Sequence, residues 1–315
     1  MDCLVTGGAG FIGGTAVRAL LARGDRVRVM DNFSTGRRKN LCDIETDIEL
    51  IEGDLRDDAA VESAVSGVRH ILHFGALPSV QRSVEDPWST NEVNVTGTLR
   101  LLLAARDAGV ERVVFSSSSS VYGDTEELPK HEDMLPRPLS PYAFSKLAGE
   151  HYLRIFHQLY GLKTYALRYF NVFGPRQDPA SDYAAVIPLF IRAFKEGKAP
   201  TIHGDGEQTR DFTYVEDVVA GNLCCLEAPD EAAGGVYNVA WGYRTSINEL
   251  ASRIAKLMGS DIKPVHGEPR AGDVRDSQAD SQRARDLLGW KPSVPFDEGL
   301  QQTVDWFLSN SSVGC

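Results

Sequence analysis

The chain has 315 residues, 42% of them hydrophobic and 24% charged, and a formal net charge of −11. That length holds one large α/β core and a smaller lobe. The acidic balance excludes a nucleic-acid binder, whose phosphate contacts need a basic face, and no apolar run approaches a membrane span.

Met1-Asp2 leads straight into the first expected strand, Cys3-Leu4-Val5, which leaves no room for a signal peptide. The strand feeds Thr6-Gly7-Gly8-Ala9-Gly10-Phe11-Ile12-Gly13 and then a helical pattern through Leu21. Gly8, Gly10 and Gly13 fit the dinucleotide fingerprint in its strand–turn–helix setting, where glycines let the backbone approach a pyrophosphate at a helix N-terminus. A second strand, Arg26 to Met30, ends at Asp31, near the distance expected for a carboxylate that accepts ribose hydroxyls and repels a 2′-phosphate. NAD is therefore expected over NADP, although Arg37, Arg38 and Lys39 are placed to pair with a 2′-phosphate instead.

Strands and helices keep alternating. Ile48 to Ile51 is a strand before Gly53-Asp54-Leu55, where Asp54 is in place for an adenine amino group. Val61 to Val65 is helical, and His70 to Phe74 is a strand running into Gly75-Ala76. A helix is expected over Asn91 to Ala108. The strand Arg112 to Phe115 ends in Ser116 to Ser120, and Pro141 then opens a helix that begins Tyr142-Ala143-Phe144-Ser145-Lys146. Lys163 to Leu167 is a further strand. The pattern is a doubly wound, Rossmann-type parallel sheet with its ligands beyond the carboxyl ends of the strands.

Domain organisation follows from a change of texture near residue 170. Residues 1–170, with roughly 212–257, form the dinucleotide-binding domain. Residues 171–211 and 258–309 form a smaller mixed α/β lobe, and 310–315 is a frayed tail. The five cysteines show no paired spacing and the seven histidines no ligand pattern. Free thiols in a reducing cytoplasm and no metal are expected.

Tyr142 and Lys146 carry the chemistry. Four residues apart on a helix they share a face, and an ammonium beside a phenol favours the phenolate, which makes a general base near neutral pH. Arg210 and Arg270 lie in glycine-containing loops, and two converging guanidinium forks suit a diphosphate. Asn171 can donate its amide to a phosphate oxygen or satisfy buried backbone. Ser118 can share a proton with a substrate hydroxyl or cap the strand end.

The ordered series TGGAGFIG, DNFSTG, GDLRD, NVTGT, SSSSSVYG, PYAFSK, RYFNVFGPRQDP, GDGEQTRDFTYVEDV, YNVA and RAGDVRDSQAD covers almost the whole chain. By these motifs the sequence resembles the extended short-chain dehydrogenases/reductases, and within them the NAD-dependent nucleotide-sugar 4-epimerases. The resemblance implies Ser118, Tyr142 and Lys146 as the catalytic set. It implies dinucleotide contacts from Gly7, Gly10, Phe11 and Ile12, and from Asp31, Asn32, Ser34, Thr35 and Gly36. Further ones are Asp54, Leu55, Phe74, Gly75, Ala76, Ser116 and Tyr169. For a UDP-sugar it implies Ser79, Asn171, Ala185, Val186, Thr201, His203, Arg210, Arg270, Asp273 and Ser277, with Phe170 beside Tyr169 and Asn171. The implied reaction is an isomerisation. Tyr142 removes the 4-hydroxyl proton, hydride passes from C4 to NAD, and the 4-keto sugar turns and takes it back on the other face.

Departures from the family pattern narrow the reaction. Dehydratases and decarboxylases of this group carry an acid in the serine segment, where this chain has Ser119 and Ser120. UDP-glucuronate 4-epimerase stays open, because such enzymes share the serines. Tyr169-Phe170-Asn171 and Arg176-Gln177-Asp178-Pro179 point rather to UDP-glucose/UDP-galactose and UDP-GlcNAc/UDP-GalNAc. Ser277 stands where restricted epimerases carry a Tyr, which leaves space for an N-acetyl group. A silent NAD-binding regulator and a net dehydrogenase or reductase are the alternatives from other classes, distinguished by whether NAD is reduced and whether NADH is released. Leu147, Leu153, Phe156 and Leu159 lie on more than one side of the Tyr142–Tyr160 helix, so with the Asn91–Ala108 helix a homodimer is expected.

Overall fold

The computed structural model describes residues 1–179, 184–269 and 274–309; Arg270, Asp273 and the tail 310–315 lie outside the described residues. Seven strands form the main sheet: β1 (Cys3–Thr6), β2 (Val27–Asp31), β3 (Ile48–Glu52), β4 (His70–His73), β5 (Arg112–Ser118), β6 (Lys163–Tyr169) and β7 (Gly235–Val239). Their order is β7-β6-β5-β4-β1-β2-β3, with every neighbouring pair parallel. The chain winds outward from β1 to β3, then crosses to β4 and winds the other way. The switch between β1 and β4 opens a crevice at the carboxyl ends, where an α/β sheet binds its ligands.

The longer helices are α1 (Phe11–Ala22), α2 (Asp58–Val65), α3 (Gly97–Asp107), α4 (Pro141–Tyr160), α5 (Val186–Lys195), α6 (Val215–Glu227), α7 (Ile247–Leu257), α8 (Gln282–Leu288) and α9 (Phe296–Ser309). Helix α4 has clear start and stop signals. The Ser140 hydroxyl accepts from the Ala143 amide at 3.1 Å, Pro141 occupies the first turn, and Gly161 closes the helix in the left-handed region at φ 70°. The helix expected over Asn91 to Ala108 begins earlier, at Pro87, and passes through a π-turn at Glu92–Thr96 before α3. Strand β5 runs three residues beyond Phe115, because Ser116, Ser117 and Ser118 pair with Leu167, Arg168 and Tyr169. Pairing overrides the weak strand preference of serine.

One core lies between the sheet and α1, α6 and α8; a second lies on the other face under α2, α3 and α4. A third holds the lobe together from α5, α7 and α9. This corrects two expected placements. The helix Ile247–Leu257 buries Ile247, Leu250, Ala251 and Ile254 in the lobe, not against the sheet. Conversely Ala284, Leu288 and Trp290, expected in the lobe, pack on the sheet. Hydrophobic periodicity shows that a face is buried and not which core receives it.

Candidate active site

The glycine turn after β1 and the loops after β2, β3 and β4 enclose a cavity of about 980 Å³. Gly7 has φ +69°, and a Cβ there would lie 2.7 Å from the Gly75 amide nitrogen. A Cβ at Gly13 would lie 2.2 Å from the Gly7 carbonyl. Only bare backbone lets α1 start this close to β1, leaving Gly10, Phe11 and Ile12 along the cavity wall.

Asp31 is buried at the end of β2. One carboxylate oxygen accepts from the Ala9 amide at 2.9 Å and the other from the Phe33 amide at 2.8 Å. Burial raises its pKa and the two amides oppose the rise. Arg37 is paired with Asp178, and Arg38 is paired with Glu52 while lying 4.3 Å over the Phe33 ring. The arginines in place to read a 2′-phosphate are therefore engaged with carboxylates, which favours NAD. Ser34, Thr35 and Gly36 continue the wall, with Asn32 donating to Asp54 at 2.7 Å. Arg56 grips the same carboxylate and holds its pKa well below the usual range, so Asp54 remains an acceptor. Leu55, Phe74, Gly75, Ala76, Ser79, Ser116 and Tyr169 complete the expected residues on this wall. The glycine cradle and the oriented Asp31 fit a dinucleotide.

Helix α4 lies against β5 at the floor of this cavity. The Lys146 ammonium donates to the Ser116 carbonyl at 2.8 Å and sits 4.9 Å from the centre of the Phe115 ring and 5.8 Å from that of Tyr142. Tyr142 is half-buried and opens into the cavity. The expected lowering of the phenol pKa is not present in the chain by itself. Burial raises Tyr142, with the Ser118 hydroxyl acting the other way, and pushes Lys146 down to about 7. In a poorly solvated cavity both charged forms lose hydration. Ser118, half-buried at the end of β5, accepts from the Ser120 hydroxyl at 2.9 Å and the Ser120 amide at 3.2 Å.

A second cavity, of about 570 Å³, adjoins the first and shares Gln177, Ala184 and Ala185 with it. Asn171, Val186, Thr201, His203 and Arg210 line it. The Arg210 guanidinium donates to the Thr209 carbonyl at 2.9 Å and the Arg275 carbonyl at 3.2 Å, which fixes its plane. Asn171 also donates to the Asp211 carbonyl at 3.2 Å. Phe170 does not line either cavity as expected. It is fully buried against Tyr122 and Ala240, because neighbours on an extended segment point to opposite sides. Ser277 is buried, with its amide on the Thr209 carbonyl at 3.2 Å, and is not on either wall.

Two residues escaped the sequence reading. Buried Asn94, in the π-turn, accepts from the Leu77 amide at 2.8 Å and donates to the Leu77 carbonyl at 3.1 Å and the Ser145 hydroxyl at 3.0 Å. It ties the loop after β4 to α4; the motif NVTGT contains it, but local spacing assigns it no partner. Buried Asp211 accepts from the Gly242 and Ala279 amides at 3.1 and 3.0 Å, and burial pushes it up to about 7. It fastens three segments beneath Arg210, and no local pattern marks such a hub.

Known proteins agree with this geometry. The model of the NAD dependent epimerase/dehydratase family matches residues 3–240. A UDP-glucose 4-epimerase of Mycolicibacterium smegmatis is 44% identical over 99% of this chain and 100% of its own length. The UDP-glucose 4-epimerase of Thermotoga maritima, solved with UDP-glucose, superposes with a TM-score of 0.94 at 38% identity, covering 99% of this chain and 100% of that one. The UDP-N-acetylglucosamine 4-epimerase of Methanobrevibacter ruminantium, solved with UDP-N-acetylmuramic acid, gives 0.93 at 42% identity and 98% of each chain. With its glycine turn, its Tyr142–Lys146 pair and these matches across the sheet and lobe, the chain belongs to the NAD dependent epimerase/dehydratase family.

Proposed function

We propose that this protein is an NAD-dependent UDP-sugar 4-epimerase that inverts C4 of a UDP-hexose and accepts both plain and N-acetylated sugars. The observation that carries the reading is the Tyr142–Lys146 pair at the floor of the glycine-walled cavity, which shares Gln177, Ala184 and Ala185 with a second, arginine-bearing one. The glycine turn and Asp31 would hold NAD, which would supply reversible hydride transfer there. Tyr142 takes the 4-hydroxyl proton, directly or through Ser118, whose hydroxyl reaches the phenol. Lys146, held at the Ser116 carbonyl, keeps a positive charge close to the phenol in its protonated form. Arg210 and the N-terminus of α5, which begins at Val186 beside the second cavity, suit the diphosphate. That anchor leaves the sugar free to turn and present its other face to the same acceptor.

The absence of an acid at Ser119 and Ser120 supports epimerisation over dehydration. The deciding experiment is incubation with UDP-glucose, UDP-N-acetylglucosamine and UDP-glucuronate, with products resolved by NMR. C4 epimers of the first two are expected. Stoichiometric NADH release, or turnover of UDP-glucuronate alone, overturns the reading.

A homodimer completes the proposal. Leu153 and Phe156 of α4 are buried against the sheet, whereas Phe144, Ile155 and Leu159, with Leu103 of α3, are exposed. Pairing these outer faces with those of a second copy removes apolar surface from water. A light-scattering mass near twice 34.5 kDa is expected, and a mass near 34.5 kDa at micromolar concentration rejects it.

A further inference from the structure

Three consecutive serines at the end of β5 each meet α4, and only two of them belong to the chemistry. The Ser116 carbonyl holds Lys146 and the Ser118 hydroxyl reaches Tyr142. Between them the Ser117 hydroxyl donates to Glu150 Oε1. Tyr142, Lys146 and Glu150 are spaced four residues apart and so share one face of α4.

Glu150 is clamped a second time. Arg168 donates from Nε to Oε1 at 2.9 Å and from Nη2 to Oε2 at 2.7 Å, a bidentate fork. Both side chains are only 4% exposed. Arg168 stands directly beside Ser117 in the β5–β6 register, and the next pair in that register is Ser118 with Tyr169. Its guanidinium lies 4.6 Å over the Tyr122 ring, and the Tyr122 hydroxyl donates to Asn238 Oδ1 at 2.7 Å, on β7. The clamp thus joins one helix to three adjacent strands.

A buried ion pair is poor evidence for stability, because apolar residues of similar shape often serve the fold as well. What apolar packing does not supply is direction. Helix α4 sits unusually close to β5 here: a Cβ at Gly149 would lie 2.5 Å from Phe115 Cζ. A flat glycine on a ring offers no directional contact to set the helix along the strand. A slide of one residue is about 1.5 Å, and a misplacement of about 1 Å at a reacting group lowers rates about a hundredfold.

We infer that Glu150, Arg168 and Ser117 are positioning residues, a buried clamp that sets the register of α4 on β5 so that Tyr142 and Lys146 meet Ser118 and Ser116. The inference rests on the assignment of Tyr142 and Lys146 as catalytic residues.

The test compares Arg168→Lys, which keeps the charge and loses the fork, with Ser117→Ala, which removes a single hydrogen bond. Tyr142→Phe is run beside them, all as NAD-loaded protein on whichever of UDP-glucose and UDP-N-acetylglucosamine the parent turns over. A positioning role lowers kcat about tenfold in Arg168→Lys and about threefold in Ser117→Ala, with KM within about twofold of the parent. Glu150→Gln, which keeps the shape and one acceptor oxygen, retains more kcat than Glu150→Ala. A purely structural role instead lowers the melting temperature and leaves kcat of the folded protein within about twofold in both variants, which overturns the inference. If circular dichroism shows Arg168→Lys unfolded, Ser117→Ala decides alone. Full turnover in Tyr142→Phe removes the catalytic assignment itself, an outcome distinct from failure of the clamp.

Discussion

The two adjoining cavities are built in opposite ways. The dinucleotide cavity takes most of its wall from the short loops that follow β1 to β4, and its key contacts there are backbone amides and glycines. The second cavity gathers residues from between Asn171 and Ile247, and Arg210 there owes its orientation to carbonyls at Thr209 and Arg275. The first is specified locally and is stiff. The second exists only once the lobe has closed on its own core. The difference suits the proposed reaction, in which one ligand stays while the other enters, turns and leaves.

If the base belongs to the shared floor, its loss stops chemistry without disturbing either wall. Tyr142→Phe is expected to lower kcat by about 10²–10⁴-fold with NAD occupancy unchanged, read by NMR of product epimers and by absorbance of released dinucleotide. Turnover within tenfold of the parent removes the assignment.

Breaking the stiff wall calls for a single methyl. Gly13→Ala puts a Cβ 2.2 Å from the Gly7 carbonyl, where only backbone can yield. Loss of NAD from the purified protein is expected, at about tenfold lower affinity or worse, while isolated UDP still binds the lobe by calorimetry. Retention of bound NAD contradicts the close packing.

The assembled wall responds differently. Arg210→Met removes charge-assisted hydrogen bonds of about 1.5–3 kcal/mol, so KM for the UDP-sugar should rise about 10–100-fold with kcat nearly unchanged. Equal losses in kcat and kcat/KM place Arg210 with the reacting atoms instead.

Lys146 allows a test of the floor by pH. Its pKa falls from 10.5 to about 7 on folding because burial disfavours the ammonium. Between those values the unfolded chain binds the extra proton, so this group adds stability as pH rises through the window and adds no slope below it. In cofactor-free protein, the unfolding free energy of the parent minus that of Lys146→Met should climb across this window by urea titration. A flat difference shows that the ammonium is solvated.

The smallest effect concerns sugar choice. Ser277 lies buried behind both walls, so Ser277→Tyr is expected to leave the N-acetylglucosamine-to-glucose ratio of kcat/KM within about twofold of the parent. A fall of about tenfold makes Ser277 the gate.

By itself the sequence determined whatever depends on neighbours along the chain. The strand–glycine–helix turn, Asp31 at the end of β2, the caps of α4 and the shared face of Tyr142 and Lys146 are matters of local geometry, and spacing states them. Tertiary structure alone decided the rest. It placed α7 in the lobe and α8 on the sheet, since an apolar stripe carries no address. It turned Phe170 inward, and it put Asn94, Asp211 and Glu150 against partners 17 or more residues away. It also reversed the expected shift of Tyr142, because the cost of removing a charge from water depends on how deeply the whole fold encloses the group.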